Sequence, residues 1–280
     1  MNILFAVLSG IIQGLAEFLP ISSSGHLALF ENVFGTNKVP MNFDILLHIG
    51  TLLAVFVVYY KDIFALIPAF FSLLGKVFRG NFKMKTYNEN ERLCVFFIIA
   101  CIPMIPAAFL DNAVEALGTY TWAVGALLIV NAIILFVSDK MAKGTVTEAN
   151  ARPKNALIVG LCQLFAVIPG ISRSGSTITG GLTQKFTREF AVKFSFILSI
   201  PAIIGAFILN VKDMTSIPSS DVLPYVLGTV AAFVCGVAAM KLLIFISRKA
   251  TFRPFSYYCA IIGVTAVILG IFDIKIPIKF

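Results

Sequence analysis

A chain of 280 residues that is 59% hydrophobic and only 13% charged, with a mean hydropathy of +0.94, is too apolar for a water-soluble domain, where roughly a quarter of residues are charged. The net charge of +8 does not point to nucleic acid, and no such partner is expected, because the basic residues fall between apolar windows in a topological pattern. Five cysteines, Cys94, Cys101, Cys162, Cys235 and Cys259, all lie in apolar segments without a CxxC pair, which argues against a disulfide framework or a thiolate metal site.

The chain opens with residues 1–30, an apolar stretch interrupted by Gln13 and Glu17 and broken by Pro20 and Ser22-Ser23-Ser24-Gly25. Without a basic n-region or an uninterrupted apolar core it does not read as a cleavable signal. Three windows long enough to span a bilayer come next, at 43–60, 93–110 and 121–138, each near the roughly 20 residues a membrane helix needs. Residues 61–92 between the first two read as a basic loop, and Asp111 and Glu115 as members of a short solvated loop. A second polar, broken segment at 156–182 precedes three more windows at 190–211, 224–246 and 255–272.

Sixteen Lys and Arg residues gather in four segments: Lys61 to Arg92, Lys140 to Lys154, Lys185 to Lys193, and Arg248 to Arg253. The alternate connections hold only Lys38, Lys212, Lys275 and Lys279. The positive-inside rule then places all four basic segments in the cytoplasm, provided that 1–30 and 156–182 each enter and leave the membrane on one side. The expected fold is an all-α polytopic membrane protein, a single domain over 1–280 with six transmembrane helices and two re-entrant helix-loop-helix hairpins. Both termini lie outside in this topology.

The two broken segments align without a gap at an offset of 150. GIIQGLAEFLPISSSG at 10–25 lies over GLCQLFAVIPGISRSG at 160–175, with seven of sixteen positions identical. Further on, Lys61-Asp62 is echoed by Lys212-Asp213. Three crossings separate the copies, so they have opposite orientations: an inverted-topology repeat, with repeat one over 1–140 and repeat two over 154–273, meeting near the midplane.

Ionisable groups at membrane depth cost a few kcal/mol each and mark function. The segments contain three, Glu17, His26 and Arg173. Gln13 and Glu17, four apart, share a helix face. In the second copy, Pro169-Gly170 breaks the helix before Ile171-Ser172-Arg173-Ser174-Gly175-Ser176-Thr177. Arg173 offers a planar fork of donors matched to phosphate oxygens, and Ser172, Ser174, Ser176 and Thr177 add hydroxyls. Gly170 and Gly175 allow backbone N–H groups close to a ligand, and a helix starting near Ser174 would aim its positive end at the same space. The bland alternative is that small residues permit helix packing and Arg173 neutralises Glu17. In the alignment Glu17 faces Val167, Ser23 faces Arg173 and His26 faces Ser176. One copy keeps the reactive groups and the other the cation, a division suited to phosphoryl chemistry, where positioning and charge stabilisation dominate.

QGLAEFLPISSSGH at 13–26 and PGISRSGST at 169–177 resemble the two signature regions of the undecaprenyl-diphosphate phosphatase family, also known through bacitracin resistance. The similarity extends along the chain, including FDILLHIGTLLAVFVVYYKD at 43–62. The resemblance implies a hydrolase of the cytoplasmic (inner) membrane of bacteria. Its reaction removes the terminal phosphate of undecaprenyl diphosphate and recycles the lipid carrier for cell-wall synthesis. It implies active-site positions at Glu17, Ser23, His26, Ser172, Arg173 and Thr177, with Gln13, Ser22, Ser24, Gly170, Ser174 and Ser176 around the substrate. It also implies a divalent cation, Mg²⁺ or Ca²⁺, with Glu17 as its ligand, a homodimer, and a site opening to the outer face. Gln13 stands where many members carry Glu, which weakens a two-carboxylate metal site. Ser23 and His26 remain alternative nucleophiles, as does water. His48 reads as a packing histidine or as support for the site, with Asp44 sharing that ambiguity. Gly228, Gly236, Ala238 and Ala239 could serve close helix packing within the chain or between subunits. The rival reading is a transporter, since inverted repeats with broken helices are a transporter architecture.

Overall fold

The computed structural model describes residues 1–34, 38–81, 83–109, 111–141, 144–210, 217–249 and 251–276. Lys143, Lys212, Asp213 and Lys279 fall outside them. Twelve α-helices succeed one another among the described residues: α1 (Ile3–Phe18), α2 (Ser23–Phe34), α3 (Met41–Val58), α4 (Tyr60–Phe78), α5 (Glu89–Cys101), α6 (Asp111–Gly118), α7 (Thr121–Ser138), α8 (Pro153–Phe165), α9 (Arg173–Thr183), α10 (Arg188–Asn210), α11 (Val222–Lys249) and α12 (Arg253–Ile271). Six stretches are long and apolar enough to cross a membrane: Met41–Val58, Glu89–Ala107, Thr121–Met141, Arg188–Ile208, Ser219–Arg248 and Arg253–Ile271. These coincide with the six apolar windows of the sequence. The chain is a multi-pass helical membrane protein.

Two short regions differ from expectation. Residues 60–78 form the helix α4 rather than a loop. Its lysines mark the two ends, and between them Leu66, Ala69 and Leu73 make an apolar stripe at helical spacing that packs on Cys94 and Val95 of α5. An ion pair of Lys76 with Glu91 (2.6 Å) ties the end of α4 to the start of α5. Residues 111–118 are likewise a helix, α6, in place of the short loop; the Asp111 and Glu115 side chains lie outside the described part of the structure.

The four basic segments meet at one end of the bundle. Lys193 bridges Asp62 (2.5 Å) and Glu148 (2.9 Å), and Asp139 takes Arg188 (2.7 Å) and Arg253 (3.2 Å). Arg92 donates to the carbonyls of Ala149 and Ala151, both at 2.8 Å. At the opposite end Asn32 donates to the Gly118 carbonyl and Ile276 N–H to that of Val33. Phe5 stacks on Phe30 with centroids 5.6 Å apart, so the start of α1 lies beside the end of α2. The start of α8 lies beside the end of α9, where Asn155 donates to Gln184 (3.3 Å).

Glycine seams lock these helices together. A Cβ on Gly10 would strike the Gly228 carbonyl of α11, and one on Gly160 the Ala100 carbonyl of α5. The aligned glycines of the two broken segments thus do the same job against helices from opposite halves of the chain. Gly125 and Gly263 make the matching contact between α7 and α12. Gly228 and Gly236 pack against Phe43 and Phe18 inside the chain, so their role is intramolecular.

Overpacking a filled seam costs about 1–3 kcal/mol. Gly10→Leu is therefore expected to lower the thermal midpoint of the detergent-solubilised protein clearly. Gly75→Ala on α4, where an added Cβ meets nothing within 4 Å, is expected to leave it unchanged or raise it.

Candidate active site

The site forms where the turns between α1 and α2 and between α8 and α9 touch. α1 stops at Phe18, with Leu19 as its C-cap, because Pro20 supplies no N–H to continue the ladder. The chain then reaches Ser22, whose φ of 75° lies in the left-handed region uncommon for any residue with a Cβ. That conformation is held from both sides. The Ser22 hydroxyl oxygen accepts from Gly25 N–H, capping α2, and from Gly170 N–H of the other turn, each at 3.2 Å. At the aligned position Ser172 caps α9 by accepting from Gly175 N–H (3.1 Å). The turns approach so closely that a Cβ on Gly25 would lie 2.9 Å from Gly170 Cα, and Gly170 itself has a φ of 101°.

Asn131, in the middle of α7 and fully buried, joins the two turns. Its amide donates to the Pro20 carbonyl (3.0 Å), and its oxygen accepts from Ser172 N–H (3.1 Å). Ser174 adds a further link by donating to the Leu19 carbonyl (3.1 Å).

Around this framework the charged groups converge. Arg173 pairs with Glu17 at 2.5 Å, with only 17% and 8% of their side chains exposed. The other Arg173 nitrogen donates to the Ser195 carbonyl of α10 (3.4 Å). The second Glu17 oxygen accepts from the Ser23 hydroxyl (2.7 Å) and the Gln13 amide (3.1 Å). A carboxylate only accepts, so the Gln13 amide nitrogen must face it. The Gln13 carbonyl oxygen is then left buried and without a partner. Gln163, its counterpart in the second segment, is equally buried and finds no partner for either amide atom, because Val167 stands where Glu17 does.

A cavity of about 40 Å³ opens here, lined by Glu17, Ser22, Ser23, Ser24, Ser172 and Arg173. That is room for water, one molecule of which needs roughly 10–15 Å³ of such space. Both capped helices start at its wall, so two positive helix ends and a guanidinium face the same space.

The remaining candidates sit around this centre. Gly170 belongs to the touching turn, and Ser176 is buried in the first turns of α9. Thr177 donates to the Arg173 carbonyl (2.8 Å) and meets the Ser195 hydroxyl (2.7 Å), so it braces α9 against α10. His26 hydrogen-bonds to neither Glu17 nor Ser23: its Nδ1 lies 2.8 Å from the Ser22 carbonyl and its Nε2 2.9 Å from the Tyr258 hydroxyl. His48 spends its Nδ1 on the Asp44 carbonyl of its own helix (2.9 Å). Among the described residues no three His, Cys, Asp or Glu side chains cluster as a metal cage. The donor set suits a hard divalent cation only in the sparse manner of Mg²⁺, which takes one or two protein oxygens and completes its shell with phosphate and water. The unpartnered Gln13 carbonyl oxygen beside Glu17 fits that role.

Three contributors escaped the sequence reading: Asn131, Ser195 and Tyr258. Asn131 and Ser195 carried a signal, being polar residues inside apolar windows. Tyr258 carried none, since tyrosines are common in membrane helices near the interface.

Over residues 6–265 the chain matches the family model described as bacitracin resistance protein BacA. It is 40% identical to an undecaprenyl-diphosphatase of Methanosphaera stadtmanae across 275 residues, 97% of this chain and 99% of that protein. It is also 40% identical to the undecaprenyl-diphosphatase of Methanobrevibacter smithii across 267 residues, 94% and 96% of the two chains. Identity to that of Halothermothrix orenii is 37% across 276 residues, 97% and 100%.

Removing the Asn131 amide strands two buried backbone groups, at about 1–3 kcal/mol for each. Asn131→Leu is expected to destabilise the protein by several kcal/mol in detergent unfolding, whereas Ser256→Ala, which removes one α7–α12 bond, is expected to cost about 1 kcal/mol.

Proposed function

The chain belongs to the bacitracin resistance protein family, and we infer from this that it hydrolyses undecaprenyl diphosphate to undecaprenyl phosphate and inorganic phosphate. It is an undecaprenyl-diphosphate phosphatase: it returns the lipid carrier to cell-wall synthesis and confers bacitracin resistance. The site assigned to this reaction is the junction of the two turns. The observation that carries it is the Ser23 hydroxyl resting 2.7 Å from a carboxylate that is itself paired with Arg173.

In this reading Ser23 is the nucleophile, Glu17 its base and Arg173 the clamp on the diphosphate. At rest Arg173 is engaged by Glu17. Diphosphate oxygens entering beside the two helix ends compete for the guanidinium, and the Glu17 oxygen they displace it from gains basicity. Ser23 Oγ then bonds to the terminal phosphorus while its proton passes to Glu17. The bond from that phosphorus to the bridging oxygen breaks, and undecaprenyl phosphate leaves with the bond's electron pair. Water cleaves the phosphoserine, giving inorganic phosphate and restoring the hydroxyl. Ser22, Ser24, Ser172, Ser174 and Ser176 shape the pocket, and Thr177 and Gly170 hold its walls. His26 serves at the rim rather than as the attacking group, because both its nitrogens are engaged away from Ser23. Glu17 and the Gln13 carbonyl would hold a divalent cation, Mg²⁺ or Ca²⁺, together with the diphosphate; when bound it would offset phosphate charge.

The same reading makes α1–α2 and α8–α9 re-entrant hairpins of an inverted repeat. Three observations support it: the paired ends of each hairpin, the serine caps at aligned positions 22 and 172, and the seam glycines at 10 and 160. A homodimer in the bacterial inner membrane, with the site open to the outer face, rests on the family resemblance. Of the small residues of α11, Gly228 and Gly236 pack internally and Ala239 is buried, which leaves Ala238 exposed on that helix.

Phosphate release from prenyl diphosphate by the purified protein is expected to fall about 10²- to 10⁴-fold in Glu17→Gln, as for loss of a general base. It is expected to reach background in Ser23→Ala, and to fall at least 10²-fold in Arg173→Lys, which keeps the charge but loses the fork. Rapid quenching should trap phosphate on Ser23; labelled water incorporated in a single step with no phosphoserine would overturn the covalent route.

Ser24 is exposed at the mouth of the site. In a cysteine-free background, Ser24→Cys in intact spheroplasts is expected to react with a membrane-impermeant maleimide added outside. Labelling only after the membrane is opened would reverse the proposed orientation.

A further inference from the structure

His26 has a neighbour that the catalytic reading does not use. Its ring lies nearly parallel to that of Tyr258, 7° from coplanar with centroids 5.5 Å apart, and the Tyr258 hydroxyl is 2.9 Å from Nε2. The other nitrogen, Nδ1, faces the Ser22 carbonyl at 2.8 Å. A carbonyl has no hydrogen to give, so Nδ1 carries the proton wherever this contact persists. In the neutral ring Nε2 is then the lone-pair nitrogen, and the phenol must donate to it. Free imidazole prefers the opposite tautomer, so the two partners together select the minor form.

The placement of both partners is set by the fold. The Ser22 carbonyl also accepts the backbone N–H of His26 (3.1 Å), which pins the ring to the residue whose hydroxyl holds the two turns together. On α12, Ser256 and Cys259 flank Tyr258 and are buried against α7: Ser256 donates to the Ala132 carbonyl (2.7 Å), and Cys259 accepts from Asn131 (3.5 Å). Tyr258 is therefore carried at a fixed distance from α2 by the same helix pair that fixes the turns. Its neighbour Tyr257 packs beside Phe136 instead. A tyrosine 40% exposed on an apolar helix needs no polar partner for packing, yet this one is aimed at the lone nitrogen of an imidazole one turn from Ser22.

We propose that Tyr258 is the positioning residue for His26, holding the imidazole in its Nδ1–H tautomer with Nε2 capped by the phenol. Its effect on turnover rests on the phosphatase reading, whereas the tautomer does not. The chain has two histidines, His26 and His48, so protein labelled with ¹⁵N-histidine, solubilised in detergent, gives two ring systems, assigned with His48→Asn. For His26 the expected spectrum has a protonated Nδ1 and a hydrogen-bonded, unprotonated Nε2 above its titration range. In Tyr258→Phe the Nε2 resonance is expected to move to the free lone-pair position and broaden, with the His48 signals unmoved. Turnover of prenyl diphosphate is expected to drop about tenfold with KM changed less than twofold.

A protonated Nε2 with a bare Nδ1 in the wild type would overturn the tautomer assignment. An unmoved Nε2 resonance in Tyr258→Phe would overturn the phenol as its partner. Unchanged turnover beside a moved resonance would overturn the positioning role. If the wild type released no phosphate, the functional reading would fail while the spectra still decided the geometry. Should Tyr258→Phe not fold, 3,5-difluorotyrosine at 258, a stronger donor of the same shape, is expected to shift Nε2 in the opposite direction; no shift would equally refute the contact.

Discussion

A carboxylate and a guanidinium 2.5 Å apart inside a bundle of apolar helices are the constraint to which the rest of the structure answers. Removing either charge from water costs several kcal/mol, and the pair is tolerable only if its geometry is good and its remaining lone pairs and protons are engaged. Here they are. Glu17 takes Ser23 and Gln13 on its second oxygen, and Arg173 places its other nitrogen on the Ser195 carbonyl. The two charges lie 156 residues apart in sequence, so two turns must be carried to one place and kept there. The glycine seams bring the helices within reach, and the serine caps and Asn131 fasten the turns. The polar cluster is thus the reason for the packing around it as much as its product.

The two broken segments share a scaffold and divide the chemistry. Each begins its second helix with a capping serine, Ser22 or Ser172, that accepts from a glycine three residues on. Each seats a glycine, Gly10 or Gly160, against a helix from the other half. Two positions separate their roles. Glu17 gives Gln13 an acceptor, whereas Val167 leaves Gln163 buried with both amide atoms unpartnered. Arg173 occupies the place of Ser23, so the cation of one segment faces the hydroxyl and carboxylate of the other. Had both segments kept Arg at this position, the Ser23 hydroxyl beside Glu17 would be lost.

Much of this was legible in the residues. Hydropathy located all six spanning helices, because a bilayer imposes length and apolarity that no tertiary contact can override. The site was legible because charged and hydroxyl side chains at membrane depth have few roles other than meeting each other. What the sequence concealed depends on direction rather than composition. Lys61 and Lys76 made α4 look like a loop, because the stripe of Leu66, Ala69 and Leu73 is apparent only once α5 is there to receive it. Ser23 and His26, three residues apart on one helix, were indistinguishable as candidates. The fold separates them by turning one toward Glu17 and the other toward Tyr258. Asn131 looked like a single polar interruption, and only the approach of both turns reveals its two bonds.

The resting ion pair also bears on how a phosphatase can keep such a site inside a membrane protein. Arg173 and Glu17 hold each other at the wall of the cavity, so in the proposed reaction the substrate takes the guanidinium from the carboxylate. That exchange swaps one oxyanion for another around the same cation, so the buried guanidinium is never left alone, while the buried carboxylate loses its cation and becomes the stronger base for doing so. The two helix ends add a field that favours the incoming anion over neutral lipid. The carboxylate released by the swap is the one already bonded to Ser23, so the event that admits the substrate is also the event that frees the base. In the proposed reaction, coupling the two through one arginine keeps the resting site neutral until a diphosphate arrives.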